Sequence, residues 1–509
     1  MHWMTIFVIL NLQVPVWGNN IIVILVDDLD LTLEGMQPLQ NTQNLIGQQG
    51  ATYDNCFVAS PICCPNRASI LTGRYQHNHN TVNNSISGGC NSPQWQRYSE
   101  GKTFAAILKK KMGYTTFYAG KYLNEYGSRA AGGPQHVPPG WDWWYGLVGN
   151  SKYFDYSLSV NGTARTYGHT PNQYLTDVIL EFQSLEYYRK LLNVLQKQMA
   201  LSFINTRSAN SVPFLMVLAP PAPHEPWTPA ARHNDRYKNQ KAKRTPNFNT
   251  QSQFDKHWLV RMGPSPLPNN VLPTLDDIYR RRWETLLAVD ELVVGVYTAL
   301  RNTRLLNDTY VIFTSDNGYH IGQFSMPMDK RQPYETDIRV PLLIRGPGIT
   351  PGSRVKAPVT SVDLFSTILE MGGTEAISDG TSMLNKNISE DRSVLIEYRG
   401  EHSIGTPNSG CPTDDDVHLS HCDKKYECKC QDSTNNTYAC VRRFSEKNNN
   451  IFCVFEDATK YVEAYDLNAD PFQMNNIAYS MHKGKRYRFR KRLKELVKCE
   501  GVDCVRTHR

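Results

Sequence analysis

The chain has 509 residues, 40 % of them apolar and 20 % charged, with a formal net charge of +7. That length and apolar content exclude a single small core, a disordered chain and a multi-span membrane protein, and favour one large α/β domain with a smaller partner. The modest positive surplus becomes informative only where it is locally concentrated.

Residues 1–18, MHWMTIFVILNLQVPVWG, hold an apolar core of about ten residues, far short of the roughly 20 that span a bilayer, and end in small residues near Gly18. They read as a cleaved signal peptide, with no membrane span in the mature chain. The n-region carries no Lys or Arg, so a buried strand running back from Ile21 is the alternative. Five Asn-x-Ser/Thr tripeptides, at Asn83, Asn161, Asn307, Asn387 and Asn435, are glycosylation candidates and fit a secreted or lysosomal protein.

Ile21 to Val26 is a β-branched apolar run ending at Asp27-Asp28, the pattern of a parallel strand buried on both faces. Next comes Ser60-Pro-Ile-Cys63-Cys64-Pro65-Asn66-Arg67-Ala-Ser-Ile-Leu-Thr72-Gly73-Arg74. Here a cysteine opens an apolar helical stretch and is followed by Pro and Arg; alone, it is as consistent with a structural cysteine as with a nucleophile. Thr103 to Met112 predicts a helix. Phe214 to Ala219 predicts a second buried strand, running into Pro220-Pro-Ala-Pro-His224. The amphipathic run Leu275 to Leu300 predicts a long helix, with Trp283, Leu287, Leu292 and Val293 near helical spacing. Thr309 to Thr314 predicts a third buried strand, ending at Ser315-Asp316-Asn317-Gly318. Three strands thus deliver polar residues to one edge, where ligands bind in open α/β sheets.

From about Leu395 the pattern changes to cysteine-rich loops, then Tyr461 to Leu467, then a basic terminal helix. We divide the chain into residues 1–18, a catalytic domain over 19–380, and a cysteine-rich subdomain over 381–509. Cys56, Cys63, Cys64 and Cys90 lie early, and Cys411, Cys422, Cys428, Cys430, Cys440, Cys453, Cys499 and Cys504 crowd the end. In an oxidising compartment the late group reads as disulfides rather than a zinc site, since it lacks paired C-x-x-C spacing. If Cys63 is converted, eleven cysteines remain and at least one is unpaired or intermolecular. The basic stretches Arg232 to Arg244 and Lys483 to Lys494 read as solvated faces or as attractors of a polyanion. Neither sits in a nucleic-acid-binding motif, so no nucleic acid partner is expected.

The motif Cys63-x-Pro-x-Arg67 followed by Leu71-Thr-Gly-Arg74 resembles the signature of type I sulfatases. Gly113-Tyr-Thr-Thr-Phe-Tyr-Ala-Gly-Lys121 resembles their second signature, and Tyr465-Asp-Leu-Asn-Ala-Asp-Pro471 their C-terminal strand and turn. Cys-Cys-Pro-x-Arg, Tyr75-Gln-His-Asn-His79, Gly120-Lys-Tyr-Leu-Asn-Glu-Tyr-Gly127 and Asp316-Asn-Gly-Tyr-His320 are closest to the N-acetylglucosamine-6-sulfatase branch. The resemblance implies an alkaline phosphatase-like α/β fold, with a large mixed sheet flanked by helices and a smaller C-terminal α+β subdomain. It implies hydrolysis of the 6-O-sulfate ester of N-acetylglucosamine residues in a sulfated glycosaminoglycan, heparan sulfate or keratan sulfate. It also implies maturation by a formylglycine-generating enzyme that oxidises Cys63 to formylglycine.

Sulfate ester cleavage needs stabilisation of the sulfonyl oxygens by a hard cation with oxygen ligands and by fixed positive side chains. Asp27, Asp28, Asp316 and Asn317, with converted Cys63, are the candidate ligands. Calcium is favoured over zinc because no histidine cluster accompanies the acids. In the roles the resemblance implies, Cys63 supplies the nucleophile, Arg67 holds its hydrate, Lys121 and Lys330 neutralise the sulfate, and His224 is the acid for the leaving oxygen. Asn84 and His320 are candidates for sugar contacts, and His77 and His79 for packing. Two positions depart from the family: Asn66 where Ser is usual, and Leu123 where arylsulfatases carry His. An extracellular endosulfatase is the nearest alternative, but the long basic insertion of that group is missing. A zinc phosphatase of the same wider fold is opposed by Cys63 and the few histidines. An inactive glycosaminoglycan-binding homologue, with Cys63 left as a thiol, stays open.

Overall fold

In the strand Asn20–Val26, the side chains of Ile21, Val23 and Leu25 enter one core and those of Ile22, Ile24 and Val26 the other, all at most 5 % exposed. Such two-sided burial needs layers on both faces, and each fully buried aliphatic side chain contributes about 1.5–3 kcal/mol. In this computed structural model, which describes residues 18–180, 199–251, 254–384, 388–401, 426–445 and 448–506, those layers are helices. The expected signal peptide, Asn387, Cys411 and Cys422 lie outside the described residues, Gly18 excepted.

Ten strands form the main sheet, in the order Ser353–Val355, Ala51–Tyr53, Leu342–Arg345, Thr309–Ser315, Asn20–Val26, Phe214–Ala219, Thr115–Lys121, Trp143–Leu147, Tyr156–Val160 and Thr163–Tyr167. The five from Thr309–Ser315 to Trp143–Leu147 are mutually parallel, while Leu342–Arg345 and Tyr156–Val160 join them antiparallel. The sheet is therefore mixed, as expected. One face carries the 31-residue helix Leu272–Asn302. The other carries Cys63–Thr72, Phe104–Met112 and Ser361–Met371. The hydroxyl of Thr103 caps Phe104–Met112 by accepting the Ala106 N–H. No helix among the described residues is long and apolar enough to cross a membrane.

A second sheet is an antiparallel meander of Arg392–Tyr398, Tyr438–Ser445, Asn448–Phe455 and Val462–Asp466, with the helix Lys483–Leu496 packed on it. The region read as cysteine-rich loops is thus partly strand: Cys440 and Cys453 face each other across two paired strands and are disulfide-bonded. Cys499 pairs with Cys504 and Cys64 with Cys90, and Cys428 and Cys430 are also in disulfides, which removes the zinc reading. Cys56 and Cys63 are buried free thiols. Arg392 from the meander forks onto both oxygens of Asp363, at 2.6 and 2.8 Å, fixing the small sheet to the main body.

Candidate active site

The parallel strands end where the polar residues were expected. Asp27 and Asp28 follow Asn20–Val26, and Asp316 and Asn317 follow Thr309–Ser315. Asp28 adopts φ 68°, a left-handed conformation that aspartate tolerates better than most residues. Arg282, on the long helix, holds that turn by donating to Asp28 O at 2.8 Å and to Asp30 at 2.8 Å, with its guanidinium over the Tyr319 ring.

Cys63 is the first residue of its helix and is fully buried. Its Sγ lies 3.6 Å from Asp27 Oδ1 and 3.9 Å from Asp28 Oδ1. Arg67, one turn on, donates Nε to Asp316 Oδ2 at 2.7 Å and Nη1 to the Lys121 carbonyl at 2.7 Å. Lys121 ends the strand Thr115–Lys121 and donates to Asp27 Oδ2 at 2.7 Å. Lys330 reaches both oxygens of Asp28 at 2.6 Å, and Asn317 Nδ2 donates to Asp28 Oδ1 at 2.7 Å. Cys63, Asp27, Asp28, Asp316, Asn317, Arg67, Lys121 and Lys330 thus come together in one buried cluster.

The electrostatics follow from burial against pairing. Burial raises the Asp27 and Asp28 carboxyls, but Lys121, His224, Arg67 and Lys330 at Asp27, and Lys330, His224 and Lys121 at Asp28, outweigh it and hold both below the usual range. Burial and then the charge of Asp27 push Asp316 up to about 7. Burial pushes the Cys63 thiol up to about 12 despite Lys121 and Lys330, so an unmodified Cys63 is a neutral thiol and a poor nucleophile at physiological pH.

The donor set fits a hard cation. Asn317 Oδ1 is buried with no hydrogen-bond partner among the described residues, on a side chain bonded to Asp28. Ligand atoms of Asp27, Asp28, Cys63 and His224 lie within 4.8 Å of one another. Three carboxylates face three cationic side chains, so a divalent ion would leave the site positive and suited to an anionic ester.

His224 joins the cluster, with Nε2 3.9 Å from Asp28 Oδ2 and Nδ1 donating to Glu225 O at 2.7 Å. Burial pushes its pKa down to about 4, which leaves Nε2 unprotonated toward the cluster. Asn84 sits at the site but is spent differently from expectation: its Oδ1 accepts the Cys64 N–H at 2.9 Å, capping the nucleophile helix. His320 departs further. It is fully buried, Nδ1 bonds Asp337 at 3.0 Å and Nε2 meets Gln431 Nε2 at 3.1 Å, so no ring nitrogen is left for a sugar. His79 packs, bonded to Ser69 and to Thr81 N, and His77 bonds Glu397, as expected of both.

Asn66, the unusual residue of the motif, donates to the Asp316 carbonyl and accepts the Ala59 N–H at 3.0 Å, bridging two loops of the site. Ser151, whose hydroxyl donates to Asp27 Oδ2, was missed; a lone serine in a loop carries no sequence signal. Glu401 was also missed: it pairs with Arg331 at 2.8 Å and accepts from Asn84 N, bringing the meander side of the molecule to the site. Among the sequons, Asn161 and Asn307 are exposed and Asn435 half-buried. Asn83 is buried with Nδ2 donating to Glu401 O, packing that would have to open before a glycan fits.

Comparison with known proteins places this geometry. The sulfatase family pattern matches residues 19–374. The chain is 46 % identical to goat N-acetylglucosamine-6-sulfatase over 95 % of its length and 84 % of that protein, and 45 % identical to the human protein of that name over 95 % and 85 %. Its fold resembles the solved structure of a protein in complex with its substrate D-glucosamine-2-N,6-O-disulfate, with a TM-score of 0.69, 22 % identity, and 94 % and 98 % of the two chains covered. With the motif, the strand-end acids and these matches in agreement, the chain belongs to the sulfatase family.

Proposed function

We propose that this protein is a sulfuric ester hydrolase that removes the 6-O-sulfate from N-acetylglucosamine residues of heparan sulfate or keratan sulfate. It acts in the lysosome or after secretion, once a formylglycine-generating enzyme has oxidised Cys63. The observation that carries the chemistry is the buried Cys63 at 3.6 and 3.9 Å from two strand-end carboxylates, ringed by Arg67, Lys121 and Lys330. The sugar specificity rests on the N-acetylglucosamine-6-sulfatases at 45–46 % identity.

As formylglycine hydrate, residue 63 carries two hydroxyls on one carbon. The attacking hydroxyl passes its proton to His224 as its oxygen bonds to sulfur, the sulfur–sugar oxygen bond breaks, and the sugar oxygen takes that proton from His224. Nε2 is the atom aimed at the cluster and is unprotonated at rest, so it takes the proton from the attacking hydroxyl and returns it to the leaving oxygen. The second hydroxyl then gives its proton to the again neutral Nε2 of His224, which passes it to solvent. The carbon–oxygen bond to sulfate breaks with its electron pair leaving on sulfate, and the aldehyde reforms and is hydrated by water. Lys121 and Lys330 hold the sulfate oxygens, and Arg67 orients residue 63. Calcium held by Asp27, Asp28, Asp316 and Asn317 would neutralise charge on the sulfonyl oxygens.

The direct test is peptide mass spectrometry across residue 63 of protein secreted from eukaryotic cells, paired with sulfate release from 6-sulfated N-acetylglucosamine. An aldehyde or hydrate together with release supports the reading. A plain thiol without release, in cells that convert a control sulfatase, sinks it. Chelation of divalent cations is expected to abolish release and lower the melting temperature. Calcium is expected to restore both, since an ion at a hundred times its Kd adds about 2.7 kcal/mol of stability. Unchanged melting and undiminished release after chelation would remove the cation from the account.

A further inference from the structure

The two basic stretches of the sequence fare differently in the fold. Within Arg232 to Arg244 half of the six Lys and Arg side chains are answered: Arg232 pairs with Asp177 and Glu291, Lys243 with Glu34, and Arg244 with Asp276. The helix Lys483–Leu496 is not neutralised in this way. Phe489, Leu493 and Leu496 pack it onto the meander, with Phe489 stacked on Phe452 at 5.5 Å. Beside that contact runs a groove of about 650 Å³, walled by the helix and by Ser393, Arg443 and Asn448 of three strands.

Lys485, Arg488 and Lys491 line this groove. They stand three residues apart, so they form one row along the helix at about 4.5 Å per step. None of the three has a carboxylate partner among the described residues. The two acids in the groove are paired with its other arginines, Asp391 with Arg443 at 3.1 Å and Glu495 with Arg492 at 3.3 Å. Tyr487, 69 % exposed, lies in the same groove and presents an aromatic face of the kind on which a sugar ring stacks. Unpaired cations in a row beside an exposed ring are complementary to a chain that repeats both anionic groups and sugar rings.

The groove also connects to the catalytic side of the molecule. Ser393 lies in it, and Glu397, four residues along the same strand or about 13 Å, donates its N–H to Ala59 O. The Ala59 N–H in turn binds Asn66 of the nucleophile helix. A glycan of several sugar units with its end in the site is long enough to cover such a span.

We propose that this groove is a second binding site for a sulfated polysaccharide chain, one that holds polymeric substrate remote from the reacting ester. The identity of the occupant rests on the proposed function; the groove itself does not. The test compares the variant K485Q/R488Q/K491Q with a charge-matched control, R236Q/K238Q/K241Q, whose residues are exposed on the other basic stretch. The first readout is the salt needed to elute each protein from immobilised heparin stripped of its 6-O-sulfates, which requires no catalysis. The second is kcat/KM on a long sulfated chain and on the 6-sulfated monosaccharide.

The groove variant is expected to elute at lower salt and to lose about tenfold in kcat/KM on the polymer at low ionic strength, through KM, while the monosaccharide value stays unchanged. The control is expected to change neither. Equal losses in both variants would reduce the effect to overall charge and overturn the site, as would a groove variant that behaves as wild type. Tighter binding of single-stranded DNA than of the glycan, lost in the groove variant, would overturn the occupant. Groove-dependent elution in a protein that releases no sulfate would sink the proposed function and leave this site standing.

Discussion

Cys63→Ala is expected to cut sulfate release by about 10⁴-fold or more while leaving the fold in place. Cys63 is in no disulfide, so the substitution opens no crosslink, and the loss of one buried sulfur costs about 1 kcal/mol. Cys56→Ala is the matched control, since Cys56 is equally buried and free but lies on the strand Cys56–Phe57. That variant is expected to keep full activity. The two nucleophile readings also separate by pH. A thiol pushed up to about 12 by burial would give a rate that climbs steadily into the alkaline range as thiolate appears. A formylglycine hydrate has no thiol to titrate, and its rate shows no such climb. Release from Cys63→Ala within tenfold of wild type would remove this residue from the chemistry.

The parts of the site legible in the sequence were those coded locally. A β-branched run buried on both faces announces its own end, so Asp27 and Asp316 were placed before any contact was known, and the cysteine block carries its own spacing. The roles of Asn84 and His320 were not legible, because whether a polar side chain remains free depends on partners brought in by the fold. The Oδ1 of Asn84 is consumed by the buried N–H of Cys64 in the first turn of its helix, 20 residues away, and His320 by Asp337 and by Gln431, 111 residues away. Beyond its last strand, Val462–Asp466, the meander was hidden from the residue pattern for a related reason. Arg442 and Asn450 are buried within its strands, the arginine paired with Glu335 at 3.0 Å, and these buried polar residues break the apolar alternation by which a strand is recognised. The strand Thr115–Lys121, whose glycine and lysine close a mixed run, was visible only as part of a motif.

Arg67 is where stability and chemistry are most tightly joined, and its two substitutions are expected to part them. Its guanidinium is 1 % exposed and links three elements: Asp316 after one strand, the carbonyl of Lys121 after another, and Asp27 Oδ1 at 3.6 Å after a third. Arg67→Ala leaves the Asp316 carboxylate buried without its cationic partner, in a site already crowded with negative charge, while the Lys121 carbonyl keeps only the Tyr118 hydroxyl. Breaking such a pair from one side costs about 3–5 kcal/mol, and release is expected to vanish with it. Arg67→Lys keeps the charge, but a single ammonium cannot span Asp316 and the Lys121 carbonyl as a planar fork does. That variant is expected to recover most of the stability while losing about 10²-fold in kcat, because residue 63 and the developing negative charge lose a fixed donor. Denaturant unfolding and kcat on the 6-sulfated monosaccharide measure the two separately. Should Arg67→Lys match wild type in kcat, positive charge alone would suffice at this position. Should it instead be as unstable as Arg67→Ala, the fork would belong to the fold rather than to the reaction.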